Sequence, residues 1–146
     1  MRPLVVTLSF SFCLVACSST PVAFDAVIDD SAHAGANPVL VGEEFKLEVG
    51  QRAQIDGTAS FVEFQGVGDD SRCAKGVVCV WEGNARAKFL LREDAHDEYV
   101  ELNTSRRFDT RRAVARGTLV MRALDPQPPV TDPMRYVVTL LIEAGP

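Results

Sequence analysis

The chain has 146 residues, with 15 Lys and Arg against 20 Asp and Glu, a formal net charge of −5 at pH 7. That length suits one small domain and excludes a multidomain machine, and the acidic balance argues against general binding to nucleic acid. Hydrophobic residues at 47% and charged residues at 24% are ordinary globular values, so the chain can bury a core and is neither disordered nor wholly membrane-embedded.

Met1-Arg2-Pro3 is a short basic start, and residues 4–15 are apolar apart from Thr7, Ser9, Ser11 and Cys13. A bilayer span needs about 20 apolar residues, so this run reads as an export signal. It closes in Leu14-Val15-Ala16-Cys17, which resembles the lipobox of bacterial lipoproteins. The resemblance implies a signal peptide over 1–16 and a diacylglycerol on the thiol of Cys17. It also implies cleavage just before that residue and acylation of the new amino terminus, with palmitate the expected group. One acyl chain binds a membrane marginally, whereas two or more, at about 0.8 kcal/mol per buried CH₂, hold firmly. Ser18 stands where an inner-membrane retention signal commonly carries Asp, so in a diderm bacterium the resemblance implies the outer membrane, facing the periplasm. The plainer alternative is an ordinary secretory signal with Cys17 an incidental thiol.

Residues 17–41 hold Ser-Ser-Thr-Pro, an acidic run over 25–30 and Ser-Ala-His-Ala-Gly-Ala-Asn-Pro, which give little to bury. They read as a lipidated tether, with the folded domain over 42–146. From there the pattern is period-two alternation, the mark of strands with one buried face. Phe45, Leu47 and Val49 make the first strand, Ala53 and Ile55 its return, and residues 61–67 the third. Ala85, Ala87, Phe89 and Leu91 alternate with Arg86, Lys88 and Arg92 in the clearest central strand, with Leu90 turned to the outer face. Residues 99–102 answer it across an acidic turn over 93–98. Residues 119–123 form a sixth strand stopped by Asp125-Pro126, and residues 136–142 a seventh. The expectation is an all-β fold, an antiparallel sandwich or barrel of about seven short strands with one small disulfide loop.

With Cys13 in the signal and Cys17 lipidated, Cys73 and Cys79 remain. In an exported protein a disulfide between them is the default. A zinc site has only these two thiolates and lacks the second Cys or His pair that closure requires. The run from Asp70-Ser71-Arg72-Cys73 through Cys79-Val80-Trp81-Glu82-Gly83 resembles a signature of small, poorly characterised bacterial secreted proteins and lipoproteins. In these, Asp-Ser-Arg-Cys, a cysteine six positions on and Trp-x-Gly interrupt a compact β domain. Here Ala74 replaces the usual proline and Glu82 a small residue. The resemblance implies the fold and carries no activity. Trp81 is expected to lay its indole over the disulfide or an edge of the core, Arg72 to bond Asp69, Asp70 or loop carbonyls, and Gly83-Asn84 to turn the chain into the strand at Ala85.

Catalytic motifs are missing: no Gly-x-Ser-x-Gly, Walker loop or His-Glu-x-x-His occurs, and the only histidines are His33 and His96. The acidic run around His96 matches no calcium loop and reads as a solvated hairpin tip. Arg106, Arg107, Arg111, Arg112 and Arg116 are offset locally only by Asp109. With Asp109 as N-cap and Gly117 as stop, a two-turn helix over 110–116 is expected, placing Arg112 and Arg116 on one face. The cluster reads either as a docking face for lipid A phosphates, anionic glycans or an acidic partner, or as a solvated connection paired to the domain's own carboxylates; the second is preferred. The functional expectation is a non-enzymatic, lipid-anchored envelope protein, without cofactor or metal, that binds or scaffolds a periplasmic or outer-membrane partner. The partner is an unidentified envelope protein or anionic glycolipid. The alternative is an envelope hydrolase or protease inhibitor acting through an exposed loop.

Overall fold

The computed structural model describes residues 38–145. The expected signal peptide and lipobox with Cys17, His33 and the first part of the expected tether lie outside the described residues. Among the described residues, no helix is long and apolar enough to cross a membrane.

Eight strands form two antiparallel four-stranded sheets: β1 (Glu44–Glu48), β2 (Arg52–Gln54), β3 (Phe61–Asp70), β4 (Ala85–Glu93), β5 (His96–Asn103), β6 (Arg111–Val114), β7 (Gly117–Asp125) and β8 (Val137–Ala144). One sheet runs β1-β8-β7-β6 and the other β2-β3-β4-β5, so the architecture is a sandwich. Its core follows from the alternation. On β4, Ala85, Ala87, Phe89 and Leu91 are buried while Arg86 and Lys88 face out, and Leu90 sits half-buried on the outer face. Phe64 and Phe89, both fully buried, meet with ring centroids 5.5 Å apart. Leu119 on β7 and Val138, Leu140 and Ile142 on β8 close the core from the other sheet.

One expected element is replaced. Residues 111–114 form β6 rather than a helix, because Ala115 and Arg116 make a two-residue turn that pairs Val114 with Gly117. Arg116 takes φ +70°, and a Cβ on Gly117 would lie 2.0 Å from the carbonyl oxygen of Glu143, so glycine is required there. The supposed helix stop is the first residue of β7. The acidic turn after β4 is a hairpin tip: Asp94 and Ala95 have φ of 48° and 72°, as the commonest two-residue hairpin turn demands, and Glu93 pairs with His96.

The packed unit also reaches upstream of Gly42. Val39 bridges to Ile55, and Val39 and Val41 pack on the core. This is where the chain joins the sandwich, at the same end as the β4–β5 and β6–β7 turns. The β3–β4, β5–β6 and β7–β8 connections lie at the other end. The ten residues of β3 separate the two ends by about 30 Å, at roughly 3.3 Å per residue.

Candidate functional site

At that far end, β3 delivers Asp70 into a small polar cluster. Register shifts between Phe64 and Gly66 and between Val67 and Asp70 bend the strand, after which Asp70 pairs with Ala85. Its carboxylate accepts from Arg72 Nη2 at 2.6 Å, Arg72 Nε at 2.9 Å and the Tyr136 hydroxyl at 2.9 Å. Arg72 also donates to the carbonyl oxygens of Leu124 and Pro126, tying the start of the loop to the end of β7. These side chains are only 8% and 12% exposed for Asp70 and Arg72. The reading of Arg72 as a bonding partner of Asp70 and of loop carbonyls is thus met, with Tyr136 as an unforeseen third member.

Beyond Arg72, Cys73 and Cys79 are bridged, with Cα atoms 5.9 Å apart. The backbone N–H of Lys75 donates to the carbonyl of Pro128, and that of Ser71 to the carbonyl of Asn84. Gly83 closes the base: at φ +66°, a Cβ there would lie 2.0 Å from the Ser71 carbonyl oxygen. That contact is the physical reason for a glycine two residues past the tryptophan. Opening the disulfide by Cys73→Ser with Cys79→Ser should cost about 2 kcal/mol, the loop-closure entropy of a short ring. Because Arg72 and Gly83 still hold the base, thermal melting should show one cooperative transition at lower temperature.

The tip is apolar and in water. Val77, Val78, Val80 and Trp81 are 58%, 99%, 90% and 73% exposed. This corrects the expectation that the indole packs on the disulfide or core. Under the loop lie Ser71, Asn84 and Ser105, bonded to each other and to Glu82, while Phe64 and Phe89 already fill the core between the sheets. Phe108, from the β5–β6 connection, is also exposed. With Val80, Trp81 and Arg107 it lines a groove of about 490 Å³ whose remaining lining includes Ser71, Asn84 and Ser105. Ring size accounts for Val77 and Val78, because five residues between two bridged cysteines cannot enclose their own side chains, whereas Val80 and Trp81 lie past the ring.

The arginine cluster does not stay together. Arg111 pairs with Glu143 at 2.6 Å and Arg112 with Glu98 on the neighbouring sheet edge. Arg116 lies by Gly57 at the opposite end, and Arg106 lines a separate depression with Arg111 and Arg122. Arg107 alone reaches the apolar groove. Reversing Arg111 and Arg112 to Glu sets like charges against Glu143 and Glu98. The melting temperature should fall by an amount equivalent to about 1 kcal/mol, as for exposed pairs. His96 stands exposed at the turn end, roughly a strand length from Asp70. Among the described residues, no three His, Cys, Asp or Glu side chains gather as a metal site would require.

Compared with protein-family models, curated proteins and solved structures, the chain has no significant match in any of the three.

Proposed function

We propose that this chain is a non-enzymatic, lipid-anchored protein of the bacterial envelope that docks a periplasmic or outer-membrane protein through the disulfide end of its sandwich. The observation that carries the reading is the exposure of Val78, Val80 and Trp81 on a loop whose base is fixed by Arg72, Gly83 and the disulfide. Neighbouring apolar side chains held in water at a loop tip support an interaction site, and a pre-fixed loop loses little conformational entropy on docking. The disulfide suits an oxidising compartment, as an exported protein requires. The chain joins the domain at Val39, so the loop lies at the opposite end of the domain from that attachment.

Two experiments test the proposal. Cys17→Ser should shift the protein from the detergent phase to the aqueous phase, or stall its processing. Unchanged partitioning removes the anchor. Photocrosslinkers placed in cells at Val78 and at His96 should give a discrete protein adduct from the first and none from the second; adducts from His96 alone would sink the docking surface. A second reading, protease inhibition, draws on the same protruding bridged loop. It requires stoichiometric inhibition of an envelope protease that Val78→Asp abolishes.

A further inference from the structure

The groove beside the loop has a chemistry of its own. Its polar floor is already occupied. Ser71 Oγ donates to the carbonyl of Asn84 and accepts from the Asn84 backbone N–H. Asn84 Nδ2 donates to Asn103 Oδ1 at 2.8 Å, and Asn84 Oδ1 accepts from the Ser105 backbone N–H at 3.0 Å. Ser105 Oγ donates to Glu82 Oε1 at 2.6 Å. A sugar needs several free donors and acceptors to direct its hydroxyls, and these side chains have spent theirs on one another. What remains for a ligand is apolar surface from Val80, Trp81 and Phe108, the guanidinium of Arg107, and the second carboxylate oxygen of Glu82, whose first is held by Ser105. Among the described residues, Arg107, like Arg106, Arg116 and Arg135, has no carboxylate partner, whereas Arg52, Arg72, Arg86, Arg92, Arg111, Arg112 and Arg122 each have one. Arg106 and Lys75 are exposed on the flanking connections, so cations border an apolar groove on a chain that is acidic as a whole.

We propose that this groove takes an extended apolar peptide segment carrying a carboxylate side chain, seated between Trp81 and Phe108 with its Asp or Glu on Arg107. The inference rests on the docking reading and specifies its partner. Aromatic side chains supply rigid contact area at low entropic cost, and a guanidinium offers a carboxylate two parallel hydrogen bonds that an ammonium cannot match. The alternative occupant is a lipid surface, and the vesicle arm of the test separates the two.

The test uses the sole tryptophan of the chain as its reporter. The full chain, reconstituted in phosphatidylcholine nanodiscs, is used to select from a random heptapeptide display library. Selected sequences should be apolar with an Asp or Glu, and the synthetic peptide should shift Trp81 emission to the blue. Its Asn or Gln counterpart should bind about tenfold more weakly, the loss of one charge-assisted contact. Arg107→Glu should erase that preference without altering the melting temperature, and Arg107→Lys should keep part of it. Selected peptides that lack acids, or that bind equally well after amide replacement, overturn the carboxylate assignment while a Trp81 shift leaves the docking end standing. If no peptide moves Trp81 and phosphatidylglycerol vesicles do, the partner is a membrane and both readings fall.

Discussion

Replacing Arg72 with Ala should destabilise this domain by about 3 kcal/mol, a large share of the 5–15 kcal/mol typical of a folded domain. The guanidinium compensates the nearly buried Asp70 carboxylate and satisfies two carbonyl oxygens at the end of β7. Its removal takes the counter-charge from Asp70, leaving only the Tyr136 hydroxyl and the backbone N–H of residue 72 on the carboxylate, and takes a donor from each of the two carbonyls. Urea unfolding followed by circular dichroism should show the midpoint fall with an unchanged slope. The same cluster sets an acid dependence. Burial pushes the Asp70 carboxyl up, but hydrogen bonds from the Arg72 side chain and backbone and from the Tyr136 hydroxyl outweigh it, and the net position is below the ordinary carboxylate value. The unfolded chain therefore takes up the proton first. The contribution is complete above about pH 4 and disappears as the pH falls through the folded-state value. In Arg72→Ala the burial persists without its main compensation, so the folded-state value moves up toward or past the unfolded one, and Asp70's share of the stability loss on acidification should shrink or change sign.

Trp81→Ala should weaken docking by about thirtyfold, corresponding to the 2 kcal/mol or more that a central aromatic anchor contributes. The free domain should hardly notice, since the indole rests on no core residue. The partner identified by crosslinking from Val78, titrated against both proteins, gives the ratio. A lowered melting temperature with docking intact would assign the indole a structural role instead.

Alternation alone revealed most of the sandwich, because on β4 the buried face is long enough for period two to stand out; on β7 a register shift between Met121 and Ala123 breaks it, so that Leu124 is buried and the expected Ala123 is exposed. It failed on β6, where four residues bury only Val114 and an Asp and a Gly stand at helix-capping positions. The turn that decides the matter depends on Arg116 entering the left-handed region, which a sequence seldom announces. The disulfide followed from cysteine count and export, but the orientation of Trp81 did not. Whether an indole after a cysteine turns in or out depends on what fills the space beneath it, here a polar set drawn from the β3–β4 and β5–β6 connections and the end of β5. Likewise, Arg106 through Arg116 look like one patch when spaced along the chain. A hairpin then sends alternate side chains to different faces and ends, leaving Arg107 alone at the groove.

Acrylamide quenching of Trp81 in the free, oxidised full chain tests the central claim most directly, because no other indole contributes. A docking loop held open to water predicts red-shifted emission and a quenching constant close to that of free tryptophan, both little changed when a Gly83-intact, Cys73→Ser/Cys79→Ser variant is compared. Blue-shifted emission shielded from acrylamide in the absence of any partner would place the indole inside the fold and contradict the account.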